Sequence, residues 1–308
     1  MNCLALAASD FAGNLITEKT RVPYVYENSP ENLEEISRII NEFIESLPVS
    51  REEILQVCVN VAERVNPVQG NAYNMFTFLK ESLADKLTQL IQLPVCIEND
   101  TRSMAFAELI KGQCKGLKDA IFVNVCWGIG IGIIIDGKLY YGRSGFAGEF
   151  GHTPYFDNEI ICDCGKKGCL ETEVSGIAIE NKMMNQIRNG RTTILMDKFQ
   201  KQHKIHINDI IGAARNDDTL SIELIEEAGE KIGKSIAFLI NIFNPEQVII
   251  GGSLANAGDY LMLPLKSAVN KYSLRLVYND TLFRATTLDD SIGSLGAAML
   301  IRNQIISL

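Results

Sequence analysis

The chain of 308 residues lacks the features that would suit it to a membrane, to secretion or to nucleic acid. Its longest apolar run, around residues 129–135, is interrupted by glycines and is far shorter than the roughly 18 residues that span a bilayer. No charged segment followed by an apolar segment marks a secretory signal. With 29 Lys and Arg against 38 Asp and Glu, the net charge is −9. A chain without a positive field does not gather phosphates, so we expect a cytoplasmic protein that by itself does not bind nucleic acid.

Histidine is scarce, with three copies, yet one of them precedes a dense group of cysteines. The group consists of His152, Cys162, Cys164 and Cys169. Three thiolates and one imidazole are the ligands of a closed, structural zinc site. The alternatives are ordinary buried thiols, as for the cysteines scattered elsewhere, or a disulfide, which needs an oxidising compartment. The dense spacing favours structural zinc at these four residues.

Two acidic residues, Glu149 and Glu171, frame this segment. Metal binding would fix the ring of His152 and leave its second nitrogen at a set angle for a ligand hydroxyl. The two carboxylates can accept hydrogen bonds from neighbouring hydroxyls. Acceptors of this kind around one point indicate a site for a polyol such as a sugar.

The segments Glu-Phe-Gly-His at 149–152 and Cys-Asp-Cys-Gly-Lys-Lys-Gly-Cys-Leu-Glu at 162–171 resemble the signature of the ROK family. Members of that family are sugar kinases or sugar-responsive transcriptional repressors. The resemblance extends over most of the chain. It implies an α/β protein with the actin-like ATPase fold, which is ribonuclease H-like, and two βα domains hinged over a cleft.

The order of apolar patterns agrees with two βα halves, which we expect at 1–115 and 116–308, with the zinc segment in the second. In the first half we expect a helix opened by Ser29-Pro30, a strand over 54–61, a helix over 79–91 and a strand over 95–97. In the second half the patterns predict three strands over 120–141 and a polar surface insertion over 189–206. Helices over 176–187, 220–243, 259–271 and 292–306 and strands over 247–250 and 282–286 follow the same reasoning.

The first half opens with two predicted strands, whereas the second opens with three. In the family an additional first strand ends in Asp-x-Gly-Gly-Thr, a phosphate-handling loop that does not occur in this sequence. A missing central strand would leave backbone groups without partners. We therefore expect that the native polypeptide begins upstream of Met1, or that Cys3–Ala8 takes the place of that strand in a shortened sheet.

Glu98-Asn99-Asp100 follows a strand pattern and precedes a helical one. From the spacing alone, Asp100 is equally well a helix N-cap. The resemblance implies that Asn99 and Asp100 contact the sugar and that Asp100 is the catalytic base if the chain is a kinase. Asn74 matches a sugar-binding position of the family, although asparagines are common in turns.

The resemblance also identifies two nucleotide loops that depart from the kinase pattern. In the first, Trp127 stands where kinases carry threonine, beside Gly128 and Gly130. A small hydroxyl residue lets backbone amides close on phosphate oxygens, and an indole does not. Gly251 and Gly252 match the place where kinases pack adenosine, and close packing of a strand and a helix is the alternative. We interpret both loops as degenerate.

Intact sugar residues with altered phosphate loops favour a sugar-binding transcriptional regulator of the ROK family. The chain would be its effector-binding portion, with no helix-turn-helix of its own and with DNA contacted only through a segment outside it. We expect a homo-oligomer, a dimer, with a monosaccharide or amino-sugar effector. The alternative is an ATP-dependent, glucokinase-like kinase of a hexose or N-acetyl amino sugar that uses ATP and Mg²⁺.

Overall fold

The structure, a computed structural model, describes residues 3–17, 19–288 and 292–306. The chain divides into two compact units. Unit 1 comprises Met1–Lys115, Leu139–Ala147 and Leu288–Leu308, and unit 2 comprises Gly116–Lys138 and Gly148–Thr287. Two segments that follow residue 116 therefore belong to unit 1 together with the first 115 residues. The apolar side chains of each unit form a core of its own.

The strands of the described chain have two to seven residues, which is common in small sheets. In chain order they are β1 Cys3–Leu6, β2 Thr20–Pro23, β3 Val57–Val61, β4 Val65–Asn66, β5 Asn71–Ala72, β6 Val95–Asn99, β7 Ala120–Val125, β8 Ile129–Ile135, β9 Lys138–Leu139, β10 Gln247–Gly251 and β11 Leu282–Ala285.

The helices range from single turns to one long helix in unit 2. In chain order they are α1 Pro30–Glu45, α2 Leu83–Ile91, α3 Asp100–Ile110, α4 Glu171–Val174, α5 Gly176–Arg188, α6 Met196–Gln200, α7 Ile207–Ala214, α8 Thr219–Phe243, α9 Asp259–Tyr272, α10 Arg275–Asp280 and α11 Ile292–Ile306. Short 3₁₀ turns cover Arg51–Glu53, Phe150–His152 and Ser253–Ala257.

Unit 1 carries small, separate sheets among its described residues. β1 and β2 form one antiparallel pair, and β4 and β5 form another. β3 and β6 are parallel, with Val61 opposite Asn99. Cys3–Ala8 thus supplies a strand to the β1–β2 pair and joins no sheet with β3 and β6 in the part of the chain that is described. Since α3 begins directly after β6, the carboxyl end of the parallel pair carries Asn99 and Asp100.

Unit 2 is built on a five-stranded mixed sheet in the order β11-β10-β7-β8-β9. β10 is parallel to β7 and to β11, whereas β7 and β8 are antiparallel. Every residue of β7 and β10 is buried, which explains their nearly continuous apolar sequences. The helices α8 and α9 approach closely, because a Cβ at Gly233 would lie 2.2 Å from the carbonyl oxygen of Leu265.

Most predicted element positions are confirmed, and the differences have local causes. α1 begins at Pro30 with Ser29 as its N-cap, as predicted. α2 begins at Leu83 rather than at 79, because the side chain of Ser82 caps it there. β3 begins at Val57 rather than at 54, after a 3₁₀ turn.

The stretch 189–206 was predicted to be a polar insertion on the surface. It contains α6, and two of its residues are buried in unit 2, namely Thr193 and Ile205. The hydroxyl of Thr193 donates to the carboxylate of Asp218, the N-cap of α8, so the stretch is tied to the core. The described helices include none that is both long enough and apolar enough to cross a membrane.

Candidate functional site

The candidate metal ligands lie together in unit 2. The Nδ1 atom of His152 is 3.5 Å from the sulfur of Cys162, and the sulfurs of Cys164 and Cys169 are 3.6 Å apart. All of these ligand atoms lie within 4.8 Å of one another. The cysteines of the described residues form no disulfide, which would require about 2.05 Å between sulfurs. The disulfide alternative therefore does not hold for this segment.

The spacing of the cluster suits a tetrahedral metal ion. Ligand atoms bound tetrahedrally at about 2.0–2.3 Å are roughly 3.5–3.8 Å apart, which matches the His152–Cys162 and Cys164–Cys169 pairs. A tight turn supports the geometry, since the amide of Cys162 donates to the carbonyl of Lys166 and the amide of Gly165 to the carbonyl of Cys162, both at 2.8 Å. The segment can therefore hold a metal ion with three sulfurs and one nitrogen.

Two of the thiols are held in their protonated state when no metal is bound. Burial, reinforced by the neighbouring thiols, raises the pKa of Cys169 to about 12. Burial also raises the pKa of Cys162. Since thiolates are the ligands, a bound cation must displace these protons, and it supplies the positive charge that stabilises the sulfurs.

The second nitrogen of His152 is directed away from the cluster. Its Nε2 atom lies 3.8 Å from the Oε2 atom of Glu149, which is too long for a direct hydrogen bond. Both side chains are partly exposed. A hydroxyl group of a ligand fits between a ring nitrogen and a carboxylate at this separation, because each can form one hydrogen bond to it.

Glu171 lies between the cysteine cluster and the glycine loop, by which we mean residues 126–130. Its Oε2 atom accepts a hydrogen bond from the amide of Ile129 at 3.1 Å, and its Oε1 atom lies 3.9 Å from the sulfur of Cys162. A Cβ at Gly128 would lie 2.4 Å from Oε2, so only glycine permits this approach. A Cβ at Gly151 would lie 3.5 Å from the Cβ of Glu171, so the turn that carries His152 adjoins the same residue.

Several backbone amides and carbonyls of the glycine loop are hydrogen-bonded within the protein. The amide of Cys126 donates to the carbonyl of Gly128 at 3.0 Å, and the carbonyl of Cys126 accepts from the amide of Gly176 at 2.7 Å. The carbonyl of Trp127 accepts from the amide of Ile177. The loop is thereby fixed to the first turn of α5, and two of its amides, those of Cys126 and Ile129, already have acceptors.

Trp127 projects from this fixed loop with 57% of its surface exposed. The ammonium group of Lys204 lies 4.9 Å from the centre of the indole ring, in a cation–π contact. Lys204 belongs to the stretch 189–206, so that stretch contributes to the surroundings of the loop.

The glycines at 251 and 252 are explained by packing. A Cβ at Gly251 would lie 2.4 Å from the ring of Phe122, and one at Gly252 would lie 2.3 Å from the carbonyl oxygen of Val125. Gly252 also has a φ of +82°, which residues with a side chain rarely adopt. These contacts support the packing interpretation of the pair.

In unit 1, the structure assigns the capping role to Asn99 instead of Asp100. The Oδ1 atom of Asn99 accepts from the amide of Arg102 at 3.0 Å, which makes it the N-cap of α3, and its Nδ2 atom donates to the carbonyl of Glu63 at 3.2 Å. The alternative that Asp100 is only an N-cap is therefore wrong. Asn99 is engaged at both ends of its amide by the protein itself.

The carboxyl group of Asp100 is desolvated. Burial raises its pKa to about 6, against the opposing effect of hydrogen bonds from Thr101. The Oδ1 atom accepts from the amide of Thr101 at 2.6 Å and from its hydroxyl at 3.2 Å. The Oδ2 atom is left for other partners, so Asp100 has the chemistry of either a binding carboxylate or a base.

Asn74 lies in an exposed turn of unit 1. Its carbonyl oxygen accepts from the hydroxyl of Tyr26 at 3.4 Å, and the same hydroxyl accepts from the amide of Phe76 at 2.9 Å. The turn is thus held by Tyr26 through backbone groups. The role of the Asn74 side chain in sugar binding stays a prediction.

Sequence reasoning missed a buried ion pair beside Asn99 and Asp100. Glu98 and Arg102, both nearly inaccessible to solvent, pair at 2.7 Å. The hydroxyl of Tyr141 donates to the other oxygen of Glu98 at 3.1 Å, and Arg102 donates to the carbonyls of Gly145 and Val65. The only signal in the sequence was the spacing of four between Glu98 and Arg102, which is common on exposed helices.

Comparison with known proteins agrees with the resemblance of the motifs. The sequence profile of the ROK family matches residues 2–304. A glucokinase of Halalkalibacterium halodurans is 33% identical over 223 residues, which cover 72% of this chain and 68% of that protein. The DNA-binding transcriptional dual regulator NagC of Escherichia coli is 30% identical over 285 residues, which cover 91% of this chain and 68% of that protein.

Solved structures have the same fold. A ROK family transcriptional regulator described as a homologue of the E. coli MLC protein superposes with a TM-score of 0.84 at 27% identity, over 98% of this chain and 75% of that chain. A ROK family glucokinase from Streptomyces griseus, solved with glucose and AMPPNP, gives a TM-score of 0.83 at 26% identity, over 97% of this chain and 96% of that chain. The fold is the actin-like α/β fold of these sugar kinases and regulators, and the chain belongs to the ROK family.

Proposed function

We propose that the chain is the sugar-binding portion of a ROK-family transcriptional regulator. The observation that carries this proposal is the position of the Glu171 carboxylate on the amide of Ile129 in the glycine loop. The amide of Ile129, in the loop that matches a phosphate loop of the family, already donates to this carboxylate. The same loop carries an exposed indole in place of a small hydroxyl residue.

Phosphoryl transfer depends on groups that position the phosphates and neutralise the developing charge. Removing one donor aimed at a transition-state oxygen costs about 2.7–4 kcal/mol in enzymes where this has been measured. Here the loop that matches a phosphate loop of the family kinases carries Trp127 in place of a small hydroxyl residue. This change supports a protein that binds the sugar without phosphorylating it.

The sugar ligands that we propose are Asn74, Asn99, Asp100, Glu149, His152 and Glu171. In unit 2 the Nε2 atom of His152 lies 3.8 Å from Glu149, and the turn that carries His152 adjoins Glu171 at Gly151. In unit 1 Asp100 retains one oxygen for a ligand hydroxyl. Charged acceptors of this kind suit the several hydroxyl donors of a monosaccharide or amino sugar.

We propose zinc as the metal of the cysteine cluster. Soft thiolate ligands with one imidazole select zinc over magnesium or calcium. The role is structural, because the four protein ligands complete the tetrahedron and leave no open position. Zinc would fix the orientation of the His152 ring and, through the segment 162–171, the position of Glu171.

The partners and the compartment of the regulator are further proposals. The exposed side chains Phe238 and Ile242 of α8, with Tyr272 and Leu274 beside them, form an apolar surface that we call the α8 patch. We propose that two copies of the chain associate through it as a homodimer. The net charge of this chain is −9, which does not favour binding to DNA. We therefore propose that DNA is contacted through a segment outside this chain. Reduced thiols suit the cytoplasm.

A sugar kinase is the second candidate function. A pKa of about 6 is suited to a general base near neutral pH, and Asp100 has this value. In that case Asp100 would take the proton of the attacking sugar hydroxyl, with ATP and Mg²⁺ as the other components. The glucokinase relative is compatible with this alternative.

Calorimetric titration with hexoses, pentoses and N-acetyl sugars tests the binding site. Asp100→Ala and Glu149→Ala should each lower the affinity for the tightest-binding sugar by about tenfold or more, because a charge-assisted hydrogen bond contributes about 1.5–3 kcal/mol. Glu45→Ala, which removes an exposed carboxylate of α1, is the matched control and should bind like the parent. Equal affinities for all four proteins would contradict the proposed site.

A coupled assay of ADP release with ATP, Mg²⁺ and the tightest-binding sugar separates the two candidates. A regulator should give turnover far below the typical enzyme range of about 1–1000 per second. Turnover within that range, abolished by Asp100→Asn, would establish the kinase and overturn the regulator.

A further inference from the structure

The indole of Trp127 is presented by a rigid turn. Hydrogen bonds fix the turn within itself, from the amide of Cys126 to the carbonyl of Gly128, and to the first turn of α5, from Gly176 and Ile177. The ammonium group of Lys204 covers one face of the ring, and yet 57% of the side chain is exposed. A large apolar ring that is held in place and left open is preorganised for stacking, since a ligand need not order it.

The backbone that carries the ring lies near the carboxylate that we assign to the sugar. A Cβ at Gly128 would lie 2.4 Å from the Oε2 atom of Glu171. Because neighbouring Cα atoms are about 3.8 Å apart, the backbone of Trp127 lies within roughly 8 Å of that carboxylate. A ligand held by Glu171 that carries a second ring can therefore reach the indole, whereas a monosaccharide held there has no second ring to offer.

We propose that the ligand of this chain is a disaccharide or an aryl glycoside, with one sugar at Glu149, His152 and Glu171 and the second ring stacked on Trp127. This inference rests on the proposed sugar-binding function and extends it to the class of ligand. One face of a pyranose ring presents C–H groups, which pack on the face of an aromatic ring without a charge. The indole N–H can also donate to a ring hydroxyl.

A nucleobase is the other planar group that stacks on an indole. Its triphosphate would have to lie beside Glu171, whose carboxylate occupies the amide of Ile129 and repels anions. The ammonium group of Lys204 is in contact with the ring, and a single ammonium group does not offset a carboxylate and the loss of amide donors. An uncharged second ring is therefore the better partner.

The chain contains one tryptophan, so its intrinsic fluorescence reports on this ring alone. The test titrates the full chain with glucose, xylose and N-acetylglucosamine, with their 1,4-linked disaccharides and phenyl glycosides, and with MgATP. We expect a saturable change in fluorescence with one two-ring ligand, and calorimetry should show that it binds roughly five- to tenfold more tightly than its monosaccharide.

Calorimetry on variants shows whether Trp127 causes the difference. Trp127→Ala should reduce the ratio of the two affinities to near one, and Trp127→Phe should keep most of it. Phe11→Ala, which removes an exposed aromatic ring of unit 1, should leave both the ratio and the fluorescence change intact.

Each other outcome overturns the inference in a distinguishable way. Equal affinity for the monosaccharide and its two-ring derivatives, or a ratio unchanged in Trp127→Ala, overturns the inference and leaves sugar binding in place. If MgATP quenches the fluorescence saturably and no two-ring sugar does, the group that stacks on Trp127 is a nucleobase and the inference is overturned. Binding of no sugar of either size overturns the proposed function and this inference together.

Discussion

Asp100 combines a desolvated carboxyl group with an oxygen that is free for a ligand. Burial raises its pKa from 3.8 to about 6, although Thr101 donates two hydrogen bonds to it. Such a shift is a cost to the folded protein, because the ionised group is less well solvated there than in the unfolded chain. A costly side chain at the end of a strand is expected where a group serves a ligand.

Replacing this residue should therefore stabilise the protein at neutral pH. Because the folded pKa lies above the unfolded value, the contribution of Asp100 is fully present below about pH 3.8 and is lost as the pH rises through 6. Asp100→Asn stays neutral and can accept the same hydrogen bonds. It should raise the free energy of unfolding by up to about 3 kcal/mol at pH 7.5.

The measurement is denaturant unfolding of the parent and the variant between pH 4 and 8 with zinc present. The difference between the two proteins should grow from pH 4 to pH 7 and then level off. Thr101→Ala is a control, since it removes one hydrogen bond and should destabilise the parent. An Asn variant that is less stable than the parent at pH 7.5 would mean that the carboxylate is structural.

At the scale of elements, the segment between β9 and α5 has little regular structure and depends on the cysteine cluster. Its order comes from tight turns, from isolated bridges such as Pro154 to Cys169, and from contacts of its charged residues. Glu173 of α4 accepts from Lys182 at 2.9 Å and from Lys231 at 2.6 Å, and those contacts hold its pKa below the usual value against the effect of burial. Phe150, Leu170 and Val174 of this segment are buried in the core of unit 2, and a bound metal would add order to the turns between Phe150 and Leu170.

Cys164→Ser should remove the metal and destabilise this segment. Structural zinc contributes its binding energy to folding, so the loss should lower the melting temperature by several degrees. Metal analysis of the purified parent should give one zinc per chain and that of the variant much less. Cys3→Ser, at an exposed thiol, is the matched control and should change neither value.

If the metal-free parent has the same melting temperature as the zinc-loaded parent, the structural role of the metal is contradicted. Sugar affinity gives a second measurement. If zinc orients His152 and Glu171, Cys164→Ser should also lower the affinity for the sugar, whereas Cys3→Ser should leave it unchanged.

At the scale of the whole molecule, the α8 patch is the feature that a lone chain does not explain. Phe238 is 62% exposed and Ile242 is 68% exposed on the same face of α8. The ring of Tyr155 meets Phe238 at 6.1 Å, and the ammonium group of Lys234 lies over both Tyr155 and Tyr272, so the patch is continuous with further aromatic rings. A contiguous exposed apolar area of this kind marks an interface.

Phe238→Glu should separate the proposed homodimer, because it places a charge within the patch where it would be desolvated. Light scattering after size exclusion should give twice the chain mass of 34.1 kDa for the parent and the single mass for the variant. Val68→Glu, at a highly exposed apolar residue of unit 1, should leave the dimer intact. A parent that elutes as a monomer at all concentrations would contradict this use of the patch.

The sequence by itself determined the metal-ligand set, the ROK family and most of the element order. The ligands of the cluster fall within residues 152–169, so local spacing and side-chain chemistry were enough to identify them. Helices such as α1 and α8 were predicted well because their apolar period and caps are local properties. The residues that we propose as sugar ligands were identified through the motifs, and their role stays a prediction.

Only the tertiary structure decided how those residues are used. The contact of Glu171 with the amide of Ile129 spans 42 residues, and that of Arg102 with the carbonyl of Gly145 spans 43. No pattern within a short window encodes such contacts, because they depend on how strands and loops pack in three dimensions. For the same reason the sequence suggested Asp100 as a cap, whereas the structure has Asn99 as the cap of α3. Both are good capping residues, and the fold selects the one whose side chain reaches the amide of Arg102.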